Sequence, residues 1–126
     1  GEDAVDCGIS ADSLRKLGAL VVMGISANRT TEHATALLPS SAWAEKRGTM
    51  INLKGRLQRF NQAIQPPGQA REDWEILRDL IQAISGSNGI YAVEEVFKQM
   101  AAEVPALQGL TISRIGDLGV QLSLTA

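Results

Sequence analysis

LGALVVMGISANRTTEHATALLPSS, residues 17–41, is the stretch on which the fold turns. Val21, Val22, Met23 and Ile25 make an apolar run without polar alternation. Such a run suits a strand covered on both faces, as in parallel sheets flanked by helices. The polar residues from Asn28 to Thr35 interrupt it and leave room for one helical turn from Thr30. A second apolar strand follows at Ala36–Leu38, and Pro39 ends it, since proline brings no N–H to a ladder. Strand, helical turn and strand are the pieces of a βαβ unit, which predicts an α/β fold with a partial Rossmann-like parallel sheet. The unit holds no GxGxxG or Walker loop, so a self-contained nucleotide site is not expected from it.

Upstream, SADSLRKLG (residues 10–18) predicts a short helix capped by Ser10, with Leu14 and Leu17 packed inward. Downstream, TMINL and RLQRF flank Lys54-Gly55, which reads as a two-residue turn because glycine tolerates positive φ. That register sets Leu53, Ile51 and Thr49 across from Arg56, Gln58 and Phe60. Neither face is cleanly apolar, so this edge hairpin is expected to lean on another part of its parent. QPPGQAR (residues 65–71) is a stiff connector. DWEILRDLIQAIS (residues 73–85) predicts a helix with Asp73 as N-cap and an apolar stripe of Trp74, Leu77, Leu80, Ile81 and Ile84. After a break at residues 86–89, AVEEVFKQMAAEV gives a second helix with Val93, Val96, Phe97, Met100 and Val104 on one face, stopped by Pro105. The tail from Leu110 alternates weakly and is expected to hold a short strand. The organisation expected is one α/β domain over residues 1–126, with residues 85–126 as a helical and irregular C-terminal extension.

At 126 residues the chain has room for one domain with a real core. A net charge of −2 gives no general case for nucleic acid or an anionic membrane surface. The longest apolar run is strand-sized, so no direct membrane insertion is expected. Cys7 is the single cysteine, which excludes an internal disulfide and a multi-cysteine metal site and fits a cytoplasmic, reducing setting. The chain starts at Gly1 without an initiating Met and reads as an excised piece of a longer protein.

Few residues here suggest chemistry of their own. His33 is the single histidine, and its neighbour Glu32 does not share a helix face with it, so a surface or packing role outweighs a metal or acid–base role. Thr30 and Thr31 suit helix capping better than cofactor contact. Cys7 lies among acids that blunt a thiolate. Ser40 and Ser41 have no base placed to activate them. The densest chemistry is EKRGTMINLKGRLQRF, residues 45–60, where Lys46, Arg47, Lys54, Arg56 and Arg59 face one acid, Glu45. Arginine forks and backbone N–H groups near Gly48 suit a phosphate. Edge strands carry the same cations merely to block edge-to-edge pairing, and residue types alone favour that reading. Only Phe60 offers a stacking face there, so nucleic acid fits poorly.

Taken in order, Thr31-Glu32-His33-Ala34, Ala36-Leu37-Leu38-Pro39, Ala44-Glu45, Gly48-Thr49, Asn52, Arg56, Gln58, Pro66-Pro67-Gly68, Ala70 and Asp73-Trp74 resemble a segment late in the large subunit of the molybdopterin oxidoreductase superfamily. The resemblance covers roughly residues 20–84, and more loosely VEEVFKQMAAEVPALQGLTISRIGDLG beyond it. It implies a fragment of a larger α/β domain whose parent carries iron–sulfur clusters on upstream cysteines. It also implies that Thr31, Glu45, Gly48, Thr49, Asn52 and Arg56 occupy positions near a pterin cofactor in catalytic relatives.

Two branches of the superfamily compete. Val120-Gln121-Leu122-Ser123 stands where formate dehydrogenases have a Gln-Trp-Pro-like element, and His33 stands where the family more often has Thr. The second departure counts against a cofactor contact at His33. The first favours the G chain of bacterial NADH:quinone oxidoreductase (respiratory complex I). There the segment would be structural, with no catalytic or metal-binding residue and no cofactor of its own. It would support electron transfer from NADH to quinone, and its partners would be the rest of its parent chain and other subunits of a complex peripheral to the inner membrane. The alternative is a fragment of a molybdenum-dependent formate dehydrogenase-like oxidoreductase, with Asn52 and Arg56 helping to seat a molybdopterin guanine dinucleotide.

Overall fold

A computed structural model of the chain describes residues 3–86 and 89–123. Helix α1, Ala11–Arg15, is capped as its sequence predicts, with the Ser13 N–H donating to the Ser10 hydroxyl at 3.1 Å. Leu14 is buried, whereas Leu17 lies beyond the helix and is exposed. Strands β1, Val21–Gly24, and β2, Ala36–Pro39, pair in parallel with Val21 beside Ala36 and Gly24 beside Pro39. The helical turn between them is a single 3-10 turn at Thr31–His33. The strand–turn–strand order is therefore present, but as a two-stranded sheet. Among the described residues its faces are only partly covered: Val21 is 54% exposed and Leu37 56%, while Val22, Met23 and Leu38 are half-buried.

The basic hairpin is β3, Gly48–Ile51, and β4, Arg56–Phe60. Its register differs from the expected one by one residue, since Ile51 pairs with Leu57 and Gly48 with Phe60. The loop is three residues, Leu53 to Gly55, because Asn52 organises it. The Asn52 carboxamide oxygen accepts the Lys54 and Arg56 N–H groups at 2.9 and 3.0 Å, and Gly55, at φ +74°, donates to the Asn52 carbonyl. An Asx-type turn closed by a left-handed glycine is the usual three-residue solution, and it moves the register by one. The slip puts Leu57 and Ile51 on one face, where Leu57 is buried and Ile51 exposed.

Nor is the hairpin the edge of the parallel sheet. Strand β5, Val120–Gln121, pairs antiparallel with β4, so β4 is the middle strand of a separate three-stranded sheet. The short strand expected in the tail is thus present and serves that sheet. Leu57 meets Phe97, Ala101, Leu107, Ile115 and Leu122 in the buried cluster of the chain.

Helix α2, Asp73–Ser85, and helix α3, Val93–Glu103, form where the apolar periodicity predicts them. Asp73 opens α2 rather than capping it. Glu72 is the N-cap, without a side-chain bond, and Asp73 is engaged elsewhere. The predicted stripe of α2 is turned outward at Leu77, Ile81 and Ile84, and the helix buries Ile76 instead. On α3, Phe97 and Ala101 are buried and Met100 and Val104 are exposed. A 3-10 turn at Pro105–Leu107 and a short helix α4, Ile112–Ile115, follow. The break between α2 and α3 was expected at residues 86–89, of which 87 and 88 lie outside the described residues. No described helix is long and apolar enough to cross a membrane.

Candidate functional site

The end of a parallel strand pair is where open α/β sheets place ligands, because the loops leaving adjacent strands diverge there. In this chain the carboxyl ends of β1 and β2 frame a shallow cleft of ≈ 370 Å³, lined among others by Gly24, Ser26, Ala27, Thr31 and Leu38. Its lining is largely apolar. Thr31 is the one predicted site residue that reaches it, and its polar groups are already used. Its hydroxyl donates to the Asn28 carbonyl at 2.7 Å and accepts the Asn28 N–H at 2.9 Å, and its own N–H donates to the Asn28 side chain. The pair is a self-contained turn that fixes the path out of β1.

Thr30 does not cap the turn. It is buried and ties the start of the chain to this loop, donating to Asp3 at 2.6 Å and accepting the Ala4 N–H at 2.8 Å. The Thr30 hydroxyl is the main reason the Asp3 carboxyl falls to about 2, with the Val5 N–H and Arg29 adding to it. His33 is half-buried, and among the described residues no group of His, Cys, Asp and Glu is placed to hold a metal.

The remaining predicted residues, Glu45, Gly48, Thr49, Asn52 and Arg56, all lie in or just before the hairpin, in the other sheet. Glu45 accepts the Ala42 N–H at 2.8 Å and closes the 3-10 turn Trp43–Glu45. Gly48 lies under the Phe60 ring, where a Cβ would come within 3.0 Å of the ring edge. Thr49 sits opposite Arg59. The turn brings Asn52 and Arg56 together: the Asn52 N–H donates to the Arg56 carbonyl and the Arg56 N–H to the Asn52 carboxamide oxygen, each at 3.0 Å.

The cations of this segment are mostly spoken for by the chain itself. Lys46 pairs with Asp73, Arg47 with Glu94 at 3.7 Å and Arg59 with Asp117 at 2.6 Å, and Arg56 donates to the Leu118 carbonyl at 3.1 Å. Acids and carbonyls 27 to 62 residues away along the chain thus meet four of the five cations. A phosphate would have to compete with these partners.

Residue types alone did not reveal a polar cluster around Asp73. Asp73 receives the Ser40 hydroxyl and the Lys46 ammonium, joining the end of β2, the approach to β3 and the first residue of α2. Burial alone would raise the Asp73 carboxyl. The Lys46 and Ser40 hydrogen bonds offset this and hold it below the ordinary carboxylate range. Alongside, Arg71 donates its N–H to the Pro39 carbonyl at 3.2 Å and accepts the Ser41 N–H at 2.8 Å, while the fully buried Ser41 hydroxyl has no partner among the described residues. The sequence carried one signal of this cluster, a Ser-Ser pair directly after a strand-ending proline. Its long-range partners gave none.

Residues 5–83 match the family model for molybdopterin oxidoreductase. The chain is 36% identical over 111 residues to the F420-dependent formate dehydrogenase 1 subunit alpha of Methanococcus maripaludis, a match that takes in 86% of this chain and 16% of that relative. It is 38% identical over 94 residues to the NADPH-Fe(3+) oxidoreductase subunit alpha of Geobacter sulfurreducens, covering 75% of this chain and 11% of that protein. Formate dehydrogenase H of Escherichia coli is 25% identical over 123 residues, 94% of this chain and 17% of the enzyme. The chain therefore spans about a sixth or less of the length of these curated relatives (16%, 11% and 17%). Their names are those of formate dehydrogenases and related oxidoreductases. They favour the alternative drawn from the sequence and not the complex I G chain.

Proposed function

The chain belongs to the molybdopterin oxidoreductase family, and from that premise we propose that it is a segment of the large subunit of a molybdenum-dependent, formate dehydrogenase-like oxidoreductase. The likeness to formate dehydrogenase alpha subunits along 86% of the chain carries this reading. In such a protein the redox chemistry belongs to a pterin-held molybdenum and to iron–sulfur clusters. The present residues bind, position and enclose.

The polar groups of the chain fit that cofactor only in part. The hairpin fits poorly: the Asn52 carboxamide oxygen is occupied by its own turn, Glu45 by Ala42, and one arm of Arg56 by Leu118. The cleft at the ends of β1 and β2 fits better. It opens at the diverging loops of a parallel pair, where Gly24, Ser26 and Ala27 line a space large enough for one portion of a dinucleotide. The segment then has two tasks. The parallel unit offers one wall of a ligand crevice, and the antiparallel unit, pinned by its ion pairs, is the scaffold that holds the wall in place.

The test is the metal content of the purified full-length parent, with iron and molybdenum measured together. Stoichiometric molybdenum alongside iron supports the reading. Iron without molybdenum overturns it and returns the segment to the complex I type.

A further inference from the structure

The loop that leaves β1 runs from Ile25 to Thr30, and Ile25, Ser26 and Ala27 line the cleft. Those three residues and Arg29 are exposed, whereas Thr30 is buried. With so little of it packed, the loop depends on hydrogen bonds for a fixed shape. Its far end is tied to the start of β1. The Thr35 N–H donates to the Leu20 carbonyl at 2.7 Å, and the Thr35 hydroxyl accepts the Leu20 N–H at 3.0 Å.

Nearer the cleft, one carboxylate holds the loop from outside. Asp3 Oδ1 accepts the Thr30 hydroxyl at 2.6 Å and the Val5 N–H at 3.0 Å. Asp3 Oδ2 accepts both the main-chain N–H and the Nε of Arg29, each at 3.2 Å. The Thr30 hydroxyl in turn accepts the Ala4 N–H at 2.8 Å, and Arg29 also pairs with Asp6. A segment 26 residues earlier thus grips two consecutive residues of the loop. Hydrogen bonds to an ionised carboxylate are stronger than those between neutral groups. Arg29 and Thr30 are also the middle residues of the Asn28–Thr31 turn, so the grip and the turn fix the same four positions. Thr31, which ends that turn, faces the cleft.

We propose that Asp3 and Thr30 are positioning residues for the cleft: together they hold the loop from β1 in the shape that receives a ligand. A loop set in advance spares the entropy of ordering it on binding. The inference rests on the reading of the cleft as one wall of a cofactor crevice. It adds which side chains keep that wall in place, neither of them lining the cleft itself.

The experiment compares Thr30→Val, Thr30→Ser, Asp3→Ala and the Thr30→Val/Asp3→Ala double variant in the full-length parent. Hydrogen exchange is read at the Asn28 and Thr31 amides, molybdenum per chain by elemental analysis, and overall stability by the thermal midpoint. Thr30→Val keeps the side-chain shape and removes the hydroxyl. It is expected to speed exchange at both amides about 10-fold and to lower molybdenum per chain at least about threefold. The midpoint is expected to move by less than about 3 °C, which separates a displaced loop from a protein that fails to fold. Thr30→Ser retains the hydroxyl and is expected to restore both values. Asp3→Ala should match Thr30→Val, and the double variant should be no worse than either, because the two side chains act as one unit. Wild-type exchange at Asn28 and Thr31 in Thr30→Val overturns the proposal, and so does faster exchange with molybdenum unchanged. Equal losses in Thr30→Ser and Thr30→Val overturn it as well, since the hydroxyl is then not what holds the loop. A wild-type parent with iron and no molybdenum sinks the functional reading instead. In that protein the exchange contrast between Thr30→Val and Thr30→Ser still decides whether the two residues fix the loop.

Discussion

Leu57→Ala tests whether the hairpin and the C-terminal helices share one core. Leu57 is 2% exposed, pairs across strands with Ile51 and Val120, and lies in the cluster with Phe97, Leu107, Ile115 and Leu122. The substitution removes three carbons, which at about 0.8 kcal/mol each is about 2.4 kcal/mol of lost transfer energy. The cavity left among Phe97 and Ala101 of α3, Leu107 of the 3-10 turn, Ile115 of α4 and Leu122 just after β5 raises the cost to about 3–4 kcal/mol, since groups from separate elements do not all collapse inward. Leu53→Ala at the hairpin tip, where the side chain is 109% exposed, is the control and is expected to change stability by less than about 0.5 kcal/mol. The assay is urea unfolding followed by circular dichroism, with the m-value checked for constancy, and a parallel thermal scan in which the core variant melts about 10 °C lower. A Leu57→Ala cost within about 0.5 kcal/mol of the Leu53→Ala cost would refute the shared core and the register that builds it.

Asp73→Asn removes the charge that meets Lys46, and with both side chains partly exposed it is expected to cost about 1 kcal/mol at neutral pH. Because the folded Asp73 carboxyl lies below its ordinary value, its contribution is full above about pH 4 and is lost as the pH falls through the folded value. Urea titrations of both proteins across that range should show the gap closing, and a gap that persists into strong acid would sink the assignment. Gly119 has φ +73°, and a Cβ there would come 2.5 Å from the Leu57 carbonyl oxygen. Gly119→Ala is therefore expected to cost about 2 kcal/mol or more and to detach β5, read as faster exchange at the Leu122 amide. Wild-type protection at Leu122 in that variant would argue against β5 as a true third strand.

Local chemistry made much of this protein legible from its residues alone. The continuous apolar run at Val21–Ile25 and the proline after Leu38 announced a parallel pair. The 3.6-residue periodicity announced α2 and α3, and Ser10 announced the start of α1. Each depends on a residue and its near neighbours, so a one-dimensional reading suffices. The order of Thr31, Gly48, Asn52, Arg56 and the Pro-Pro-Gly connector pointed to the family.

Tertiary structure decided the rest. Leu53 to Gly55 became a three-residue loop because the Asn52 side chain, rather than the Lys-Gly pair, holds the turn, and one residue of register moved Leu57 to the buried face. The α2 stripe looked like a core face, yet Leu77 and Ile81 are exposed, since periodicity shows that a face is apolar and not what stands opposite it. The cations from Lys46 to Arg59 read as one basic patch because charge along a sequence sums without regard to distance. Folding brings Asp73, Glu94, Asp117 and the Leu118 carbonyl to them across long loops, and the patch becomes a set of internal ties.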